Sequence, residues 1–288
     1  MTFVDQSHTR EKKKIWNEGG VPQDFKDADL VHLYKNKGDI KCCDNPRGIS
    51  LLCIPGKILA RLLLNRLFKH IDDIGLVPES QCGFRPGRGT TDMNYALRQI
   101  MEKCKLYSED LYLLFIDLTK AFDAFNRPGL WAILDRVVVK KGSDRSQPFG
   151  VSSGTKQGCV LAPTLFSIFF SLMLHVAFKD ATDCVGIQSR FDRSLCGLKS
   201  SHFKAPTKVK LFTIRDLPFA DDCALAALSQ EALQRLCNCF ATAASRFGLT
   251  ISIKKTEALY QPAPGNMYEP PTITNEGKLV KYVDPFNY

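Results

Sequence analysis

Six apolar or aromatic residues, Leu111 to Ile116, run without a polar break and stop at Asp117 (LYLLFID). A run of this length and make-up suits a strand buried on both faces. Its closing carboxylate then stands at a sheet edge, where a metal ligand can be placed. The other role open to Asp117 is a helix N-cap. Phe122 and Asp123 follow, and the chain turns toward a helix at Pro128-Gly129-Leu130-Trp131.

A second acidic feature lies a hundred residues on, in DLPFADDCALAA. Apolar flanks draw this segment inward, while the neighbouring anions Asp221 and Asp222 repel and resist desolvation. A divalent cation resolves the conflict, because carboxylate oxygens are the hard ligands that Mg²⁺ or Mn²⁺ takes. An Asp-Asp turn at a hairpin tip resolves it as well. With Asp117 brought beside the pair, three carboxylates suit two metal ions, which activate an attacking hydroxyl and stabilise a leaving oxygen in nucleotidyl transfer.

Periodicity supplies the helices. One is expected from about Pro55 to Asp72, after a turn at Asn45-Pro46, and a second from about Thr91 to Tyr107. In the second, Met93, Ala96, Leu97, Ile100, Met101 and Cys104 share a face. A third carries Leu233, Leu236, Cys237, Phe240, Ala244 and Phe247, with Gly248 as its C-terminal cap. LTISI (249–253) and EALY (257–260) read as strand. The apolar stretch 160–178 is near the length that crosses a bilayer, but it holds Pro163, Thr164, Ser167, Ser171 and His175 and reads as a buried helix.

At 288 residues the chain can bury a sizeable core, and 44% hydrophobic content argues against disorder. The net charge of +9 suits a polyanionic partner. Much of it gathers in residues 190–215, where Arg190, Arg193, Lys199, Lys204, Lys208, Lys210 and Arg215 face Asp192 alone. That stretch reads as a nucleic-acid contact or as a solvated loop. The eleven cysteines lack zinc-pair spacing and read mostly as small buried hydrophobes in a reducing compartment. The N-terminal residues have no apolar core of a secretory signal.

Seven strings in order carry a resemblance to a known family. They are VPQDFKDADLVHLYKNKGD (21–39), NPRGISLLCIPGKILARLLLNRL (45–67), ESQCGFRPGRGTTD (79–92), FIDLTKAFD (115–123), GTKQGCVLAPTLFS (154–167), PFADD (218–222) and LTISIKKTE (249–257). The chain resembles the reverse transcriptase domain of non-LTR retrotransposons, the LINE and jockey-like group. The resemblance implies an α+β fold with the fingers and palm of a right-hand polymerase. In it an antiparallel palm sheet packs on helices, and the thumb is absent. It implies an N-terminal arm at 1–26, fingers at 27–110, a palm at 111–262 with a basic insertion about 190–215, and a truncated entry to the primer grip and thumb at 263–288.

The implied reaction is RNA-directed DNA synthesis, adding dNTPs to the 3′ hydroxyl of a DNA primer on an RNA template with Mg²⁺ or Mn²⁺. By motif position Asp117, Asp221 and Asp222 are the metal ligands, and Lys255 matches a lysine that protonates departing pyrophosphate. Phe122 is implied under the incoming sugar, where a ring excludes a 2′ hydroxyl. Arg47 matches the arginine that grips the triphosphate, with Lys35 as a possible assistant. Gln157 and Gly158 match the loop against the nascent base pair. Arg85 and Arg88, in a Gly-rich loop, are implied at template phosphates.

Two departures bear on activity. Only 40 residues separate Asp117 from Gln157, fewer than is usual in this group, and the stretch 135–150 would lack a helix. The chain also stops where a thumb is expected to begin. These departures imply a fragment or degenerate copy of a mobile element. Two other readings stay open: a basic RNA- or DNA-binding module that has lost catalysis, and a pseudogene product without biochemical role.

Overall fold

The computed structural model describes residue 25 and residues 28–34, 46–124, 126, 128–130, 159–190 and 209–283. Lys35, Gln157, Gly158, the 135–150 interval, most of the basic stretch 190–215 and the side chain of Arg47 lie outside the described residues.

The chain opens with β1 (Ala28–Tyr34) paired antiparallel to β2 (Pro46–Leu52). Pro46 therefore begins a strand, where the sequence suggested only a turn. Helix α1 (Ile54–Ile74) follows, with Cys53 Sγ accepting from the Gly56 N–H at its start and Gly75 ending it at φ 62°. Helix α2 (Thr90–Leu106) has its N3 side chain, Asp92, bonded back to the Gly89 N–H at 2.8 Å. Then come β3 (Leu111–Ile116), a short α3 (Ala121–Ala124) and α4 (Ala162–Ala177). Strands β4 (Val185–Arg190) and β5 (Val209–Ile214) form a separate antiparallel pair. Next are β6 (Asp216–Phe219), β7 (Asp222–Ala227) and α5 (Gln230–Arg246). Strand β8 (Glu257–Gln261) and the two-residue strands β9 (Thr274–Asn275), β10 (Lys278–Leu279) and β11 (Lys281–Tyr282) complete the order.

The main sheet runs β11-β8-β3-β7-β6, with β3 at its centre. Its pairs are antiparallel except for the parallel edge strand β11, which makes the sheet mixed rather than purely antiparallel. The unbroken apolar run of β3 is explained by its two faces. Leu111 and Leu113 join a core with Ile100 and Cys104 of α2, and Phe115 packs against it. Leu114 and Ile116 join the larger core with Phe166, Phe169 and Phe170 of α4 and Leu233, Leu236 and Phe240 of α5. A strand covered on both sides cannot alternate apolar with polar.

Helix α4 is the apolar stretch read as buried, and ten of its residues are buried. No helix among the described residues is long and apolar enough to cross a membrane. Helix α5 ends as its pattern predicts, with Gly248 at φ 76°. The strand expected at 249–253 does not form. Ile251 makes one isolated bridge to Leu118, and the chain then turns, with Lys255 and Thr256 N–H groups both donating to the Ser252 carbonyl. Of the eight described cysteines, Cys82, Cys104, Cys223 and Cys237 are buried and Cys53, Cys159, Cys184 and Cys239 are half-buried.

Candidate active site

Asp117 is the first residue past β3, and Asp222 is the first residue of β7. The β3–β7 register pairs Ile116 with Cys223, and one further step sets Asp117 opposite Asp222. Side chains alternate across a sheet, so both carboxylates continue the rows that face α2, after Phe115 and before Ala224. The α2 core stops short of them. In its place is a hollow of about 550 Å³, lined by Asp117, Asp222, Lys254, Lys255, Phe115 and Asn94 among others.

The backbone of Asp117 is tied to the turn that replaces the expected strand. Its N–H donates to Thr256 Oγ1 at 3.4 Å, and its carbonyl accepts from the Ser252 N–H at 2.8 Å. The same turn aims Lys255 at the carboxylate. Lys255 Nζ donates to Asp117 Oδ1 at 3.0 Å and to Oδ2 at 3.2 Å. Asp117 is not a helix cap.

Asp221 and Asp222 are reached through a two-residue hairpin turn, since Phe219 pairs with Asp222. The turn reading and the site reading of the acidic pair thus hold together. Ala220 adopts φ 57°, a positive value at the first turn position that type II′ hairpins favour. A side chain in that region costs roughly 1–2 kcal/mol, so something must hold Ala220 there. Asp221 is half-buried. Asp222 keeps an open face to solvent, yet its carboxyl is pushed up to about 6 by the surrounding protein and then by the charges of Asp221 and Asp117, against a smaller opposing effect of Lys255. The three carboxylates are therefore one electrostatic neighbourhood.

The fit to a divalent cation follows from this donor set. The oxygens are of the kind Mg²⁺ and Mn²⁺ take, and their mutual repulsion is what such an ion would relieve. Among the described residues no three His, Cys, Asp or Glu side chains converge closely enough to hold a metal. The Lys255 ammonium bonds to Asp117 instead, so an ion at Asp117 competes with it. The donors fit in type and neighbourhood.

Phe122, in α3, lies tilted at 4.6 Å from Phe166 and meets Phe84 edge-on at 6.0 Å. Arg85 and Arg88 both engage Glu79, at 3.0 Å and 2.7 Å. Arg88 also lines a second hollow with Arg215 and Asp216, away from the carboxylates. Several site residues had no signal of their own. Gln81 reads as an ordinary polar residue in ESQCGFR, yet it is fully buried and its Oε1 bonds the Ala220 N–H at 3.1 Å. Thr256 is a similar case. Asp110, just before β3, accepts from the Ala263 N–H at 2.7 Å and from the Tyr260 hydroxyl at 3.1 Å, and the first of these holds its carboxyl below its usual value.

Comparison with known proteins decides the family. Residues 34–282 match the family "Reverse transcriptase (RNA-dependent DNA polymerase)". The chain belongs to the reverse transcriptase family. It is 33% identical over 182 residues to the RNA-directed DNA polymerase from mobile element jockey of Drosophila melanogaster, covering 55% of this chain and 19% of that protein. It is 23% identical over 292 residues to the transposon TX1 uncharacterized 149 kDa protein of Xenopus laevis, covering 94% of this chain and 20% of that protein. Both relatives are proteins of mobile elements, and the chain spans about a fifth of their length. Among solved structures, apo telomerase from Candida tropicalis, truncated from its C-terminal domain, superposes with a TM-score of 0.55 at 12% identity, covering 85% of this chain and 52% of that one. That likeness shows the reverse transcriptase fold.

Proposed function

We propose that this chain is the nucleotidyl-transfer centre of an RNA-directed DNA polymerase, extending a DNA primer on an RNA template. The observation that carries the reading is the pair Asp117 and Asp222, opposite one another at the ends of β3 and β7 with Asp221 alongside, in a chain of this family. Residues 27–110 act as fingers and 111–262 as palm. Asp117, Asp221 and Asp222 hold Mg²⁺ or Mn²⁺, which when bound lowers the barrier at the attacking and leaving oxygens.

The remaining roles belong to the chain's own groups. Lys255 neutralises Asp117 in the metal-free site and, beside a departing pyrophosphate, supplies a proton. Phe122 is wedged against Phe166, which fixes its ring as a wall under the sugar and excludes ribonucleotides by shape. Arg47 and Lys35 receive the triphosphate, Gln157 and Gly158 border the nascent base pair, and Arg85 and Arg88 reach template phosphates by exchanging their exposed pairs with Glu79.

Primer extension on an RNA template with Mg²⁺ tests the reading. DNA synthesis by the wild-type chain that is abolished in Asp221→Asn supports it. Synthesis that survives Asp221→Asn sinks the ligand assignment. RNA binding that weakens with salt but ignores both Mg²⁺ and Asp117→Ala, without synthesis, points to a binding module instead.

A further inference from the structure

The left-handed residue in the carboxylate turn has a single side chain holding it. In a two-residue hairpin the N–H of the first central residue has no ladder partner. That N–H, on Ala220, donates to Gln81 Oε1 at 3.1 Å. The same oxygen accepts from the Gly83 N–H at 2.9 Å. Beside it, the Cys82 N–H donates to the Pro218 carbonyl at 3.3 Å. The loop before α2 is thus stitched across the hairpin that presents Asp221 and Asp222, 139 residues away in sequence.

The orientation of the Gln81 amide is set by chemistry. Both neighbours are donors, so the oxygen must face them and the NH₂ must point away. Gln81 is fully buried, and among the described residues its Nε2 has no partner. A buried orphan donor is unfavourable. A residue chosen only to fill space would not carry one, since methionine has nearly the same shape without it. The acceptor is what the position requires.

We propose that Gln81 is a positioning residue for the metal-binding turn. Its side-chain oxygen clasps the Ala220 N–H, keeps Ala220 at φ 57°, and thereby sets the direction in which Asp221 and Asp222 leave the hairpin. The consequence for metal rests on the ligand reading above; the clasp itself does not. The loop reaches the other side of the site as well, because its next residue, Phe84, lies edge-on to Phe122.

The test compares wild type, Gln81→Met, Gln81→Glu, Ala220→Gly, and the double variant Gln81→Met with Ala220→Gly. Two readouts are taken: amide hydrogen exchange at residue 220, and Mn²⁺ affinity by paramagnetic resonance titration. Gln81→Met should speed exchange at residue 220 by about tenfold or more, the loss expected when one hydrogen bond worth roughly 1.4 kcal/mol is removed, and weaken Mn²⁺ binding severalfold. Gln81→Glu keeps an accepting oxygen and should keep Ala220 protected. The double variant should recover most of the Mn²⁺ affinity without recovering protection, because glycine holds a positive φ unaided. A space-filling role would show no such rescue.

Unchanged exchange at Ala220 in Gln81→Met overturns the clasp. Unchanged Mn²⁺ affinity in that variant, where wild type binds Mn²⁺ and Asp221→Asn does not, overturns its positioning role. Wild type binding no more Mn²⁺ than Asp221→Asn sinks the ligand reading, and the clasp is then judged on exchange alone. If Gln81→Met fails to fold while the double variant folds, the rescue is read as stability and supports the proposal; if neither folds, the conformation of Ala220 is not what Gln81 maintains and the proposal falls.

Discussion

Gly83→Ala offers the sharpest test of how tightly the loop before α2 is fitted to the carboxylate hairpin. A Cβ at this position would lie 2.0 Å from the Ala220 nitrogen, 2.7 Å from its Cα and 3.0 Å from Gln81 Oε1. Carbon and nitrogen not bonded to each other settle near 3.5 Å or more, and the two nearest atoms are backbone, which cannot rotate aside. The hairpin and the loop must part by more than an ångström. Overpacking of this kind costs about 1–3 kcal/mol. The parting also breaks the two bonds to Gln81 Oε1, at 2.9 and 3.1 Å, each worth roughly 0.5–1.5 kcal/mol. The total is about 2–6 kcal/mol, a large part of an ordinary stability of about 5–15 kcal/mol. Urea unfolding followed by tryptophan fluorescence and circular dichroism measures it, with a midpoint lower by about 0.7 M or more for slopes of roughly 1–3 kcal/mol/M. Gly89→Ala is the control, since a Cβ there meets nothing within 4 Å. If Gly83→Ala unfolds within about 0.5 kcal/mol of wild type, the close approach of the two segments is wrong.

Four further outcomes are expected. Phe240→Ala removes a fully buried ring that meets Phe170 edge-on at 6.3 Å, and chemical denaturation should show a loss of about 3–5 kcal/mol. Asp222 is held up to about 6, above an unfolded value near 3.9. In metal-free protein its contribution is therefore fully present at low pH and is lost as pH rises through that window. Relative to wild type, Asp222→Asn should gain stability between about pH 4 and 6 and level off above; a difference flat across the whole range contradicts this. Mn²⁺ affinity of the wild type should fall over the same window on acidification, as protons compete for the carboxylate. Phe122→Val removes the ring packed on Phe166 and should raise ribonucleotide incorporation relative to deoxynucleotide in primer extension; an unchanged ratio means the ring does not face the sugar.

The elements legible in the sequence were those whose pattern is local. The β3 run, the α2 and α5 stripes and the Gly248 cap carry their structure within a dozen residues. So did Asp117 and the acidic pair, because a carboxylate closing or interrupting an apolar run is conspicuous on its own. Residues 249–253 were misread because LTISI has strand composition, yet Asp117 and Thr256 pull this stretch into a turn. Tertiary hydrogen bonding outweighed propensity there. Gln81, Thr256 and Asp110 were illegible for the same reason: each acts through a partner more than a hundred residues distant. Nothing in the neighbours of Gln81 marks it as buried. The pairing of β1 with β2 was missed because Pro46 suggested a turn, whereas proline is tolerated at a strand's first residue.

The place of β3 in its sheet has a consequence for how the protein is made. The strand that carries Asp117 is made before both of its neighbours, β7 and β8, which come more than a hundred residues later. At roughly 5–20 residues per second, LYLLFI waits about 5–20 seconds with neither edge paired. During that time it is an adhesive segment with strong strand preference and no charge until Asp117. Asp117 at one end and Asp110 at the other bracket it with charge, which slows pairing with foreign strands. The Asp117 carboxylate, proposed above as a metal ligand, thus also guards the nascent strand, and replacing it should lower the yield of folded protein.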